Sequence, residues 1–147
     1  MGPSPARDAK TTMLSKVDTA NRSQPNSTPF GILQRDLAKR TSVISIEGEL
    51  DLSTAPRLKW MLIDSLETGH SQLVVDLSLA TFMDSTALGV LVGVKRSLDV
   101  GAQLAIVCAR PAVLNIFEFS GLDGAFAIFP TLDEALAHAG EHAARGS

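Results

Sequence analysis

The chain reads as an α/β domain, a mixed and mostly parallel β-sheet with α-helices packed against it. Short apolar runs with a two-residue period alternate with segments whose apolar residues recur at spacings near three and four. From the second run onward, successive runs are separated by one helical segment, as a crossover between parallel strands requires. With 147 residues, 45% of them hydrophobic, the chain is long enough to bury a real core.

The elements follow in order. Residues 30–37 supply a first edge strand, and residues 43–47 a second in which Ile44 and Ile46 share a face. Together they form an N-terminal hairpin that adds antiparallel character at one edge. Ser53 or Thr54 caps a first helix with Pro56 in its permissive first turn. Leu58, Met61, Leu62 and Leu66 line one face of it, and Gly69 stops it. Residues 73–77 form a short buried strand, followed by a short loop to Asp84. Asp84 caps a second helix carrying Leu88, Leu91, Val94 or Lys95, and Leu98, ended by Gly101. Residues 103–108 form another buried strand with Leu104, Ile106 and Cys108 on one side. Pro111 opens a third helix with Val113, Leu114 and Phe117, closed by Gly121, and residues 125–129 make the last strand. Thr131 and Glu134 form a capping-box pattern for a final helix carrying Leu132, Ala135, Leu136 and Ala139.

Residues 1–29 differ from this body. They hold four of the seven prolines, many Ser, Thr and Asn, and no Ile, Phe or Trp, so they are expected to form a disordered N-terminal tail. The domain itself is expected to span residues 30–143. Arg7, Lys10, Lys16 and Arg22 against Asp8 and Asp18 give the tail a charge of +2; the chain carries −3, which leaves the body at −5. Ser23, Ser27 and Thr28 are candidate modification sites within the tail.

Charge and composition exclude several functions. An acidic body argues against a general electrostatic grip on nucleic acid, and one Trp, six Phe and no Tyr supply no base-stacking platform. The single Cys108 permits neither an intramolecular disulfide framework nor a Cys-based zinc cage. No apolar run is long enough for a transmembrane helix or a secretory leader, so the expected location is the cytoplasm, with no direct membrane insertion. Cys108, at the end of an apolar strand, is expected to act as a small buried hydrophobe rather than a redox sensor.

A search for catalytic chemistry finds little. Phosphate-binding glycine motifs and a G-x-S-x-G elbow are absent. A triad on Ser85 would need His70, near the end of the first helix, or a histidine of the last one. Glu134, His138 and His142 fall at i, i+4 and i+8, a spacing that could bind a metal loosely but also suits surface histidines near a helix C-terminus. No catalytic residue, metal or cofactor is expected. The informative segment begins at Asp84, Ser85 and Thr86, where two hydroxyls sit at the mouth of a helix beside unpaired N–H groups. A phosphate on Ser85 would be tolerated there locally, yet would add charge beside Asp84 and, if strand ends converge, near Asp51.

Phe82-Met83-Asp84-Ser85-Thr86-Ala87-Leu88-Gly89 resembles the F-M-D-S-[ST]-G-L-G segment of STAS domains, in particular the bacterial anti-sigma factor antagonists. Gly48-Glu49-Leu50-Asp51 is similar to the family's G-E-L-D. Residues 73–78 resemble its V-[VIL]-[DN]-L strand, and residues 117–122 its [LI]-F-x-x-[ST]-G-L. The matches cover about residues 42–139 in order.

The resemblance implies a binding switch rather than an enzyme. The unmodified antagonist binds an anti-sigma factor that is also an ATP-dependent serine kinase, which frees a sigma factor to direct transcription. Phosphorylation of the serine, here Ser85, breaks that complex, and a phosphatase restores it. The implied partner-binding residues are Asp51, Ser53, Thr54, Asp84, Ser85, Thr86, Ala87 and Gly89, and the unbound protein is expected to be a monomer. The sequence departs from the family at Ala87, where Gly is usual; the added methyl is expected to hinder a kinase loop that comes close to the first helical turn. The rival within this fold is a STAS accessory subunit of an ABC-type lipid transporter, which docks on an ATPase without a phosphorylation switch.

Overall fold

A computed structural model describes residues 30–122 and 124–146, with side chains described as far as Glu141. The expected tail, with Ser23, Ser27 and Thr28, lies outside the described residues, as does the side chain of His142. Strands β1 (Gly31–Leu37), β2 (Thr41–Leu50), β3 (Gln72–Met83), β4 (Gln103–Val107) and β5 (Ala127–Phe129) form one sheet in that order. β1 pairs antiparallel with β2, and every other pair is parallel. Helices α1 (Ala55–Glu67), α2 (Ser85–Arg96) and α3 (Pro111–Phe119) make the three crossovers, and α4 (Leu132–Gly146) closes the fold. The expected element order and sheet type are those observed.

Alternation along the strands explains how the helices are divided between the faces. Crossovers of one hand between adjacent parallel strands that advance in one direction place their helices on one side of the sheet. Ile44, Ile46, Leu73, Val75, Leu77, Leu104 and Ile106 accordingly share a core with Leu58 and Leu62 of α1, Leu88 and Leu91 of α2, and Val113 and Phe117 of α3. The intervening residues Val43, Val74, Ala105 and Val107 face the other way and pack under Ala135 and Ala139 of α4. Phe117 is fully buried and meets Phe126 edge-on, with centroids 5.6 Å apart and planes at 77°. Cys108 is buried beside Leu104 and Ile106, and burial pushes its thiol pKa up, away from the lowered value a redox sensor needs.

Three local expectations are corrected. β3 does not end at Leu77 with a loop after it; it continues to Met83 through two register shifts against β2, the first where Asp76 Oδ1 accepts the Ser78 N–H at 3.0 Å. A side chain that satisfies a strand N–H lets the ladder slip without orphaning a donor, and the apolar period is broken at the same place. The second helix ends at Arg96 rather than near Gly101, because the Ser97 hydroxyl bonds back to the Val94 carbonyl at 2.9 Å; Gly101, at φ 93°, serves the following turn. α1 begins at Thr54 without a side-chain cap, the Thr54 hydroxyl being spent on the preceding loop.

Gly48 marks the other irregularity of the β2–β3 pair. Its φ of 95° lies where only glycine is comfortable, next to the shift between Gly48 and Glu49 that brings Leu50 level with Met83. Gly48→Ala should therefore destabilise the domain by about 1–2 kcal/mol through backbone strain. Urea denaturation checks this, with an unchanged m-value expected.

Candidate functional site

The carboxyl ends of β2 and β3 lie side by side, and both chains turn into helices there. Leu50 pairs with Met83, and the next residues, Asp51 and Asp84, head the loops that feed α1 and α2. The Asp84 N–H donates to the Leu50 carbonyl at 3.2 Å, so the second turn is pinned to the first. An open α/β sheet places its ligand sites at this end, where helix N-termini converge.

Asp84 holds the site together with both carboxylate oxygens. Oδ1 accepts the Ala87 N–H at 3.1 Å, the ordinary N-cap bond of α2, while Oδ2 accepts the Leu52 N–H at 3.1 Å across the gap to the other loop. The sequence reading of Asp84 as a cap is correct. The bridge to Leu52 has no sequence signal, since its partners are 32 positions apart.

Asp51 organises its own loop. Its Oδ1 accepts the Ser53 hydroxyl at 2.8 Å and N–H at 3.0 Å, and the Thr54 hydroxyl at 3.2 Å and N–H at 3.3 Å. The Thr54 hydroxyl also accepts the Asp51 N–H at 2.8 Å and lies 2.9 Å from the Glu49 carbonyl, to which it can donate. The Ser53 hydroxyl, then desolvation in the opposite sense, then the Ser53 N–H and the Thr54 donors set the Asp51 pKa, with a net shift below the usual carboxylate value. The folded pKa is depressed, so this contribution to stability is present above the unfolded value and is lost as pH falls through the folded one. Because the carboxylate is largely solvated, the effect is small. Asp51→Asn should remove a shallow part of the acid limb of the stability–pH curve below about pH 4 and leave the neutral limb parallel to wild type. Denaturation midpoints across that range check it.

On this frame Ser85 is the first residue of α2, and Ser85, Thr86, Ser53 and Gly89 are exposed. Among the described residues nothing hydrogen-bonds the Ser85 hydroxyl, which stands at the positive end of a 12-residue helix. Open space surrounds the Gly89 Cα. Ala87 behaves differently from its expectation: its side chain is fully buried among Leu88, Leu91 and Met83 in the main core. The methyl that replaces the family's glycine hydrogen faces the core and adds no bulk to the surface. Leu52, which the sequence reading passed over, is 70% exposed beside Asp84.

Of the other candidate centres, the one that pairs His70 with Ser85 is not built, and the one that includes His142 falls partly outside the described residues. His70 lies at the opposite end of β3 from Ser85, and the 12 residues of that strand span roughly 36 Å. Its Nε2 is 3.4 Å from Asp36 Oδ1 and its Nδ1 is 3.1 Å from the Ser65 carbonyl. His138 packs against Phe129, with ring centroids 5.1 Å apart. Among the described residues no group of three His, Cys, Asp or Glu side chains could hold a metal ion, and no described helix is long and apolar enough to cross a membrane.

The five-stranded, mostly parallel mixed sheet with four helices is a fold shared with solved anti-sigma factor antagonists. Residues 34–135 match the STAS domain model, and the chain belongs to that family. It is 30% identical over 95 residues to the anti-sigma-F factor antagonist RsfB of Mycobacterium tuberculosis, a match that covers 65% of this chain and 78% of RsfB. The crystal structure of an anti-sigma factor antagonist from Mycobacterium paratuberculosis superposes with a TM-score of 0.72 at 32% identity, covering 77% of this chain and 97% of that one. SpoIIAA superposes in its unphosphorylated form with a TM-score of 0.67 at 25% identity, over 76% of this chain and 97% of SpoIIAA. The phosphorylated form of SpoIIAA, from Bacillus, has the same fold, with a TM-score of 0.60 at 24% identity over 74% and 98% of the two chains. The homologues of this chain are anti-sigma factor antagonists.

Proposed function

We propose that this protein binds an anti-sigma factor of the ATP-dependent serine-kinase type, that binding frees a sigma factor, and that phosphorylation of Ser85 ends it. The observation that carries the reading is the exposed, unpartnered Ser85 hydroxyl at the mouth of α2, locked by Asp84 to the neighbouring loop. The partner surface comprises Asp51, Ser53, Thr54, Asp84, Ser85, Thr86 and Gly89, with Ala87 acting from inside the core. Asp51 and Thr54 shape the loop, Asp84 couples it to α2, and the small exposed Ser53, Ser85 and Gly89 leave room for close approach. A phosphate adds roughly −1.5 to −2 of charge to a surface that already carries Asp51 and Asp84. A partner fitted to the bare hydroxyl is then repelled and has to strip water from a dianion. A phosphoserine phosphatase reverses the change.

In this reading the protein is a cytoplasmic regulator without catalysis of its own, a monomer when unbound, with residues 30–143 as the binding module and residues 1–29 as an extension. The kinship with named antagonists and a solved phosphorylated form of SpoIIAA support it.

Capture from host lysate on immobilised wild type, Ser85→Ala and Ser85→Asp, followed by mass spectrometry, tests it. Wild type and Ser85→Ala should retain a kinase-type anti-sigma factor that Ser85→Asp loses. If all three retain the same partner, the switch reading fails; a permease-linked ATPase among the captured proteins would establish the transporter role instead.

A further inference from the structure

Between the mouths of α1 and α2 stands one large apolar side chain. Leu52 is 70% exposed, whereas its neighbours Asp51, Ser53 and Thr54 are polar, as are Asp84, Ser85 and Thr86 on the facing loop and first turn. A leucine left this far in water contributes little to folding, and a single exposed leucine on a loose loop is ordinary. This loop is not loose. The Leu52 N–H donates to Asp84 Oδ2 at 3.1 Å, which ties the residue to the start of α2. On either side of it, Asp51 Oδ1 accepts the Ser53 N–H at 3.0 Å, and the Asp51 carbonyl accepts the Thr54 and Ala55 N–H groups at 3.1 and 2.7 Å.

The residue is therefore held in place before any partner arrives, so binding through it orders no further backbone. An apolar side chain fixed in advance and ringed by polar groups is the make-up of an interface hot spot, in which the ring shuts water out once a partner closes over it.

We propose that Leu52 is the apolar anchor of the partner surface and inserts into a pocket of the anti-sigma factor, a pocket lined by apolar side chains and rimmed by hydrogen-bond donors for the Asp51 carboxylate and the Ser53 and Ser85 hydroxyls. The inference rests on the function proposed above and adds to it the residue that supplies affinity, where Ser85 supplies the switch. Asp84 is a positioning residue in this scheme, since it holds the Leu52 N–H beside α2. A partner pushed away by a phosphate on Ser85 then cannot keep Leu52 seated. Leu52→Ala removes the side chain and keeps the N–H, so anchor and tether can be tested separately.

The anti-sigma factor captured on immobilised wild type, then purified, serves as the probe, and surface plasmon resonance separates the two rate constants. Leu52→Ala should weaken binding about 10- to 100-fold, almost entirely through faster dissociation and equally at low and high salt. Leu52→Met, still apolar and of similar volume, should stay within about threefold of wild type, and Leu52→Gln should lose as much as Leu52→Ala. Val100→Ala, which trims an exposed apolar residue at the other pole of the sheet, should change nothing. In an Asp84→Asn background, where the tether is lost, Leu52→Ala should cost less than about fivefold; a side chain that merely supported the fold would cost the same in both backgrounds. Thermal midpoints of the Leu52 variants should equal that of wild type. If Leu52→Ala or Leu52→Gln binds within about threefold of wild type while Ser85→Asp does not bind, this inference is overturned and the switch stands. Equal factors in the two backgrounds would overturn it as well. Failure of the wild type to bind any anti-sigma factor would overturn both readings.

Discussion

Ser85→Asp is expected to weaken binding to the anti-sigma factor by roughly 30- to 1,000-fold, about 2–4 kcal/mol, while Ser85→Ala stays within about fivefold of wild type. The asymmetry follows from the geometry. The Ser85 hydroxyl has no partner within the chain among the described residues, so its removal leaves no orphaned group and deletes at most one hydrogen bond to the partner, about 1 kcal/mol. A carboxylate at the same place puts a third charge beside Asp84 and Asp51 and must be desolvated when the partner closes over it. The free domain should not suffer, because an acidic residue in the first turn of α2 interacts favourably with the helix dipole by about 0.3–1 kcal/mol. Titration calorimetry with the purified partner measures the first effect. A thermal midpoint for Ser85→Asp no lower than wild type excludes unfolding as its cause. Equal affinities for the three proteins would remove charge as the switch.

Asp84→Ala is expected to carry the largest stability loss of any substitution within the site, about 2–3 kcal/mol, and to lower the thermal midpoint by roughly 10 °C. Two terms contribute. Loss of the N-cap bond to Ala87 costs about 1 kcal/mol, and loss of a charged acceptor for the Leu52 N–H costs a further 1–2 kcal/mol. Asp84→Asn separates them. An asparagine carbonyl still caps α2, but the amide NH2 then faces the Leu52 N–H and cannot accept from it, so about half the loss should remain. Hydrogen exchange at Leu52 should accelerate in both variants, whereas exchange at Ala87 should accelerate only in Asp84→Ala. Partner affinity should fall with the Leu52 protection, since the loop that carries Asp51 and Ser53 is no longer tied to α2.

The elements themselves were legible because each carries a local cause. The two-residue period of Ile44 and Ile46, the helical spacing of Leu58, Leu62 and Leu66, Pro111 at a helix start and the Thr131 cap all act within one or two turns of chain. The true length of β3 was hidden because Asp76, Ser78 and Thr81 interrupt its alternation, and only pairing with β2 through two register shifts carries the strand on to Met83. The inward orientation of Ala87 did carry a local signal, because Ala87 stands four and seven residues before Leu91 and Val94, which share its buried face.

Within the site, the sequence by itself determined the chemistry at each position: a capping aspartate, two adjacent hydroxyls, and a second acidic loop. Only the tertiary structure decided their relations. It set Asp51 and Asp84 at the ends of neighbouring strands, joined Leu52 to Asp84 over 32 positions, placed His70 at the far end of β3, and left the Leu52 side chain exposed between the two helix mouths. The physical reason is range. Capping and periodicity are interactions between residues a few positions apart, whereas a hydrogen bond across two loops exists only after the whole sheet has brought its strands into register.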